Sequence, residues 1–331
     1  MAAKVAINGF GRIGRLVFRI GYNDPDLEFV AINDISSPEN LAYLLKYDTV
    51  YGKFDGEIYA EGDFLVVNGK KIKVFKEYDP EKLPWKDLAV DIVVESTGKF
   101  RDREGATKHL KAGAKKVFIS APAKQPDITF VIGINEKEYD KDKHHIISIG
   151  SCTTNGLASV VKVLHENFGI AQGFMTTIHS YTNDQAIIDS PHKDFRRGRS
   201  AAMSMIPTTT GAAKMITVIF PELQGKFDGV AVRVPTVCGS LIDLTVTLKQ
   251  NATVDDVNLA MKRASETTLK GILEYSTDPI VSTDILGNSH SSIFDSPFTM
   301  QLENKMFKIF TWYDNEWGFS TRMVDALKML L

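Results

Sequence analysis

Cysteine is scarce in this chain: 331 residues contain only Cys152 and Cys238, in unrelated local sequences. A disulfide framework is therefore not expected, cysteine is left for chemistry or packing, and a reducing, cytoplasmic setting is expected. Long apolar runs are also missing, none approaching the roughly 20 residues that cross a bilayer, so no membrane role is expected. The opening MAAKVAINGFGRIG has its short apolar run broken by glycines, which fits neither a signal-peptide core nor a transit peptide. Charge of one sign is not in excess either. The 39 basic and 41 acidic residues give a net charge of -2, too weak a field to gather nucleic acid or an acidic membrane surface. There is no internal repeat, and no metal enters the expected chemistry. A small soluble substrate is the partner these absences leave.

What is present is length, with 44% hydrophobic residues, enough for two cores and too much for one ordinary domain. Residues 1–150 alternate short apolar runs with amphipathic stretches. Val5–Ile7 is followed by Ile13, Leu16, Val17 and Ile20 at helical spacing, then by Phe29–Ile32, a βαβ unit. Further runs at Ile92–Val94, Val117–Ile119, Ile128–Ile132 and Ile146–Ile149 predict strands of a doubly wound, mostly parallel α/β sheet. After about residue 170 the period changes to two. Ile242, Leu244, Val246 and Leu248 alternate with Asp243, Thr245 and Thr247; Val230, Val232 and Val234 alternate around Arg233; and Phe174, Thr176 and Ile178 oppose Met175, Thr177 and His179. A mostly antiparallel α+β domain over 151–317 follows. Residues 181–200 predict one long ordered loop. The C-terminal segment 318–331 is expected to close the first domain, its stretch from Ser320 to Leu331 reading as a helix with a cap at Ser320 or Thr321 and an apolar stripe of Val324, Leu327 and Leu331.

Gly9, Gly11 and Gly14 make a G-x-G-x-x-G between the first strand and the first helix. Residues without a Cβ permit the tight turn and close backbone approach, and the helix start offers free N–H groups to a pyrophosphate. Asp34 stands 20 residues past Gly14 at the end of the second strand, where a carboxylate accepts from the adenosine ribose. The same carboxylate repels a 2′-phosphate, so NAD is expected over NADP.

The run Ile146–Ile149 gives way through Gly150 and Ser151 to a helical pattern ending at Gly169, which puts Cys152 at a helix start. Free N–H groups and the dipole there favour a thiolate, and a nearby imidazolium would favour it further. Ser151, Thr153, Thr154 and Asn155 make its flanks polar, unlike those of a core cysteine. Cys238 lies in a loop-like stretch without a neighbouring base and is expected to be a bystander. His179 ends a strand and opens the polar run Ser180–Asp184; at that position a packed structural histidine and a catalytic acid–base are both possible. Arg196, Arg197 and Arg199 are either a solvated or subunit-facing surface or a substrate contact.

With GFGRIG, SCTTN, HSYTNDQ, PTTTGAAK, VRVPT and WYDNEWG in order along nearly its whole length, the chain resembles the phosphorylating glyceraldehyde-3-phosphate dehydrogenases. The resemblance implies an NAD-binding Rossmann domain completed by the C-terminal helix, a catalytic domain between, and a homotetramer whose long loop lines a neighbour's cofactor site. It implies Cys152 as nucleophile and His179 as base. Thr182 and Arg233 would hold the substrate's own phosphate, and Ser151, Thr153, Thr210 and Gly211 the attacking inorganic phosphate. Arg12 and Ile13 would meet the pyrophosphate through their backbone. Ser120 would join the cofactor set, and Asn315 would meet the nicotinamide amide. The implied glycolytic reaction is aldehyde oxidation through a cysteine hemithioacetal and thioester, followed by phosphorolysis to an acyl phosphate. The sequence departs from the common pattern at Val237–Gly239, which follow VRVPT, and at Ser190, where NAD-specific members often have Leu before the proline; Gly150 and Ser159 are milder changes. The alternatives are an erythrose-4-phosphate dehydrogenase, which would share the fold, cofactor, Cys152 and His179, and a non-catalytic binding or adhesion role.

Overall fold

The computed structural model describes residues 2–330, and the chain divides into two units. One takes the chain up to Phe130, Lys137–Gly150 and the stretch from Ser320; the other takes Val131–Glu136 and Ser151–Phe319.

The first unit is organised by a nine-stranded sheet. Its strands lie in the order Ile128–Thr129, Ile146–Ser148, Lys116–Ile119, Ile92–Glu95, Ala3–Asn8, Leu27–Asn33, Lys70–Phe75, Phe64–Val67 and Ile58–Glu61. Neighbours are parallel as far as Lys70–Phe75, and the last two strands add an antiparallel edge. The central strands read as nearly unbroken apolar runs because they are buried along their length; Val5, Ile7, Val93 and Val94 are inaccessible to solvent. The chain leaves the first strand to one side and later returns to its other side, so the carboxyl ends of Ala3–Asn8 and Ile92–Glu95 flank the point where strand order reverses. A crevice forms at such a point without special design. In register, Asn8 pairs with Asn33 on one side and Glu95 on the other.

The second unit has an eight-stranded sheet. Its order is Ile206–Thr209, Phe227–Val234, Ile170–Ser180, Ser240–Leu248, Met306–Tyr313, Ser292–Asp295 and Leu273–Ser276, with Met300–Leu302 also paired to Met306–Tyr313. Most pairings are antiparallel; Ile170–Ser180 with Phe227–Val234 is a parallel exception that sets His179 directly beside Arg233. Helix Cys152–Phe168 packs on this sheet. Its Leu157, Val160, Val161 and Leu164 are fully buried against Ile242, Leu244 and Ile309, each such side chain contributing roughly 1.5–3 kcal/mol. The helix ends where Gly169 takes φ +66.

Two details differ from the sequence reading. The apolar run Ile128–Ile132 is a strand only at Ile128–Thr129. Beyond it the chain turns, with Ile134 N bonded to Val131 O, Asn135 Oδ1 accepting from Val131 N, and Gly133 at φ +80. The C-terminal helix runs Trp317–Met329, starting earlier than Ser320 because Asp314 Oδ1 accepts from the backbone N–H of Glu316 and Trp317. Leu331, counted in the expected apolar stripe, lies outside the described residues.

Candidate active site

In the first unit the glycine turn has the predicted form, and its three glycines do different things. Gly9 sits at φ +92, and a Cβ there would lie 2.7 Å from Thr97 N. Gly14 is the packing position, where a Cβ would fall 2.3 Å from Gly9 O. At Gly11 nothing lies within 4 Å, so the backbone is open to a ligand at the start of helix Arg12–Gly21. Arg12 turns its guanidinium to Asp48, at 2.5 Å, leaving backbone as its contribution at the turn. Burial pushes the Asp48 carboxyl up, but Arg12 and the N–H groups of Tyr51 and Val50 together hold it below the usual carboxylate range. Asp34 accepts from Phe10 N at 2.8 Å and Ser36 N at 2.9 Å, and so stands at the crevice mouth with its orientation fixed. Ser120 follows strand Lys116–Ile119, its N–H bonded to Glu95 O. A hollow of about 230 Å³ is bounded by Gly9, Gly11, Asp34, Tyr78, Thr97 and Phe100. Larger hollows occur, such as one of about 410 Å³ beside Lys162 and Arg263, but that one has no nucleophile and no glycine turn.

In the second unit Cys152 is the first residue of its helix, with Ser151 as cap accepting from Thr154 N at 3.1 Å. Its Sγ is 3.5 Å from His179 Nε2. His179 is 4% exposed and is held from behind: Nδ1 lies 2.7 Å from Ser180 O and 2.7 Å from Arg233 Nη1, which also donates to Ser180 O at 3.0 Å. Parallel pairing makes this cluster possible, because register partners on adjacent strands bring imidazole and guanidinium side by side. Arg233 Nε is buried with no partner among the described residues, a donor left available to an anion.

The electrostatics correct one expectation. An imidazolium was expected to help ionise the thiol, but burial first and Arg233 second push the imidazole down to about 3, so at rest the ring is neutral. Cys152 keeps some solvent contact, yet burial is still the largest influence and pushes its thiol up; Arg233 and the hydrogen bonds of Thr153 pull the other way. The resting pair is thiol and free base.

Thr153 Oγ1 meets the Tyr313 hydroxyl at 2.8 Å, and Thr177 Oγ1 meets the same hydroxyl at 2.7 Å. Tyr313 stands edge-on to the His179 ring, 5.9 Å between centroids. Sequence reasoning missed Tyr313 and Thr177; the signal was there, in the alternation that put Thr177 on the His179 side of its strand and in the motif WYDNEWG itself. Thr182 is anchored by Gln185 Oε1, which accepts from its N–H at 2.8 Å. Thr210 Oγ1 accepts from Ala212 N at 3.2 Å, and Gly211 caps helix Ala212–Ile219. Asn315 Oδ1 accepts from Ser180 Oγ, Gly239 N and Ser240 Oγ, which fixes its amide with the NH2 as the group left to donate. Cys238 is not idle: its thiol donates to Asp314 Oδ1 at 3.3 Å. In the arginine cluster, Arg197 is committed to Asp184, Thr208 and Thr209 O, and Arg199 to Asp189, so both brace the loop.

A nucleotide crevice and a thiol with its own base serve chemistry in which sulfur holds the substrate while a hydride leaves, and the class this defines is a cysteine-dependent, NAD-linked oxidoreductase. Comparison with known proteins narrows it. Residues 3–103 match the family model described as "Glyceraldehyde 3-phosphate dehydrogenase, NAD binding domain", and residues 151–315 match "Glyceraldehyde 3-phosphate dehydrogenase, C-terminal domain". Similar curated proteins include the glyceraldehyde-3-phosphate dehydrogenase of Geobacillus stearothermophilus, 58% identical over 98% of this chain and 97% of that protein. Another is that of Thermotoga maritima, 58% identical over 99% of each. Glyceraldehyde-3-phosphate dehydrogenase 1 of Bacillus subtilis is 57% identical over 98% of this chain and 97% of that protein. The chain belongs to the glyceraldehyde-3-phosphate dehydrogenase family.

Proposed function

We propose that this chain oxidises glyceraldehyde 3-phosphate with NAD and inorganic phosphate, and that it does so in the cytoplasm as a homotetramer. The observation that carries the reading is the 3.5 Å approach of Cys152 Sγ to His179 Nε2 at a helix start. Residues 1–150 with 318–331 serve as the NAD domain and 151–317 as the catalytic domain. Gly9, Gly11, Arg12, Ile13, Gly14, Asp34 and Ser120 hold the nucleotide, and Asn315 donates its fixed NH2 to the nicotinamide amide. Bound NAD supplies the hydride acceptor.

The remaining chemistry belongs to the chain. Cys152 passes its proton to His179, its sulfur bonds to the aldehyde carbon, and the imidazolium gives the proton to the carbonyl oxygen, leaving a hemithioacetal and a neutral His179. Neutral His179 takes the hydroxyl proton as hydride leaves the same carbon, so a thioester remains. Phosphate oxygen then attacks the thioester carbon, the carbon–sulfur bond breaks, and as the acyl phosphate departs the sulfur takes the proton back from His179, restoring the thiol and the free base. Two anions are held at once: the substrate phosphate by Thr182 and the unpartnered Nε of Arg233, the inorganic phosphate by Ser151, Thr153, Thr210 and Gly211.

Assembly is supported by an inverted face. On Ile170–Ser180 and Phe227–Val234 the polar Thr177 is buried, whereas Phe174 is 73% and Val230 50% exposed, an arrangement suited to a covering subunit. In the membrane-spanning sense, no helix of the described residues is long and apolar enough. The test is NADH formation with glyceraldehyde 3-phosphate, run beside erythrose 4-phosphate and with and without phosphate. Rapid phosphate-dependent turnover of the triose is expected; oxidation to a free acid regardless of phosphate, or full activity in Cys152→Ala, defeats the proposal.

A further inference from the structure

Beneath the glycine turn lies a buried polar network that the chemistry above does not use. Glu95 ends strand Ile92–Glu95, is 2% exposed, and takes no part in lining the crevice. One of its carboxylate oxygens accepts from Thr97 N at 2.9 Å and from the Thr97 hydroxyl; the other accepts from Asn8 Nδ2 at 2.5 Å and faces His109 Nε2 at 3.1 Å. Trp85 Nε1 can only donate, and it lies 3.0 Å from His109 Nδ1, so the ring's one hydrogen is on Nε2 and points at Glu95. Four donors thus converge on one carboxylate.

That convergence sets the direction of every amide beyond it. With Asn8 Nδ2 given to Glu95, Asn8 Oδ1 accepts from Asn33 Nδ2 at 2.7 Å. Asn33 in turn grips the backbone of Glu77, donating to its O at 2.9 Å and accepting from its N at 2.8 Å. The carboxyl ends of three adjacent strands are cross-linked by side chains just below the crevice. Each link also holds a segment of its wall: Gly9 after Asn8, Tyr78 after Glu77, and Thr97 itself. Ser96 Oγ closes the ring by donating to Gly9 O at 2.6 Å.

We propose that Glu95 is a positioning residue for the adenosine half of the dinucleotide, acting through Asn8 and Thr97 without touching it. The proposal rests on assigning this crevice to the nucleotide. A carboxylate is required because a carboxamide would turn an NH2 toward a cluster made only of donors, so one wall segment must let go.

The test compares NAD with nicotinamide mononucleotide, which lacks the adenosine half, as hydride acceptors for Glu95→Gln. KM for NAD is expected to rise about tenfold while kcat, and kcat/KM with the mononucleotide, change less than about twofold. Thr97→Val, which keeps the backbone N–H but drops the hydroxyl, should raise KM for NAD about threefold and serves if Glu95→Gln does not fold. An unchanged KM for NAD in the folded Glu95 variant, or in Thr97→Val if only that folds, overturns the proposal; so does an equal loss with both acceptors. Asp34→Ala, assayed alongside, should also raise KM for NAD; if it alone had no effect, the crevice assignment itself would fall.

Discussion

Gly11 and Gly14 are three residues apart in one motif, yet the structure gives them separable duties, and alanine at each tells them apart. A Cβ at Gly14 would stand 2.3 Å from Gly9 O, where real Cβ atoms come no nearer than 3.0 Å, with Ser96 Oγ at 3.0 Å and Ile7 Cγ2 at 3.1 Å. The Gly9 carbonyl must withdraw, at an overpacking cost of about 1–3 kcal/mol. Its bond from Ser96 is weakened as well, about 1 kcal/mol. Alanine's helix preference returns about 1 kcal/mol, leaving a net loss of about 2 kcal/mol. A turn displaced by a large fraction of an ångström should also cost roughly a hundredfold in productive cofactor binding. At Gly11 no atom lies within 4 Å, so Gly11→Ala should cost at most about 1 kcal/mol in stability, the ordinary penalty for alanine at a helix cap. Its methyl nevertheless blocks the approach to the free N–H groups, and NAD affinity should fall about tenfold or more. Urea unfolding without cofactor and calorimetric titration with NAD give both quantities. Wild-type NAD affinity in Gly11→Ala, or wild-type stability in Gly14→Ala, would refute the division.

His179 should remain neutral in the free enzyme through pH 5, because burial and then Arg233 depress it to about 3; an imidazole NMR inflection near 6.5 contradicts this. His179→Asn should lower the hydride-transfer rate about 10²–10⁴-fold in single-turnover assays while Cys152 can still be alkylated, and a loss under tenfold removes it from the base role. At Asp127, burial raises the carboxyl, but bonds from Ile146 N, Arg103 and His145 N outweigh it and hold it low. The stabilisation is therefore complete above the unfolded value near 3.9 and lost as pH falls through the lower folded value. Asp127→Asn should cost about 1 kcal/mol at pH 7, read by denaturant unfolding, and nearly nothing under strongly acidic conditions; a gap that grows on acidification refutes it. NAD should be used more efficiently than NADP, and equal kcat/KM for both would show that Ser190 outweighs Asp34.

The parallel sheet and the glycine turn were legible because strand runs, helical spacing and a sterically obligatory glycine leave local traces. Cys152 at a helix start was legible for the same reason: strand, turn and helix are consecutive. The meeting of His179 with Arg233 was not, since 54 residues separate them and only the parallel pairing of their strands brings them into register. The edge of the sheet, Ile58–Glu61 with Phe64–Val67, is short and was passed over. The helix over the C-terminal stretch was placed late because Asp314 caps it through the polar DNEW segment before any apolar stripe begins. Glu95 and His109 left no trace, because a buried carboxylate at the end of an apolar strand looks like an ordinary polar stop until its four donors are seen.

The neutral resting pair shows why the helix start matters to the reaction. Moving the proton from Sγ to Nε2 creates two charges 3.5 Å apart, whose attraction is about 5 kcal/mol at an effective dielectric of about 20. Keeping the imidazole unprotonated down to about 3 corresponds to roughly 5 kcal/mol against its charged form. These two terms nearly cancel. What remains is the roughly 3 kcal/mol by which an ordinary thiol holds its proton more tightly than an imidazolium, together with the burial penalty on sulfur; the groups that offset them are Arg233, the Thr153 hydrogen bonds and the free N–H end of helix Cys152–Phe168, the last contributing up to about 2 kcal/mol. The ring geometry fits the same account. Ser180 O and the Arg233 guanidinium hold the ring from the Nδ1 side, each at 2.7 Å, which turns Nε2 to the sulfur at 3.5 Å. Burial that would be an obstacle to a lone thiolate is thus what keeps His179 a base, and placing Cys152 at the first turn of a helix makes that burial tolerable.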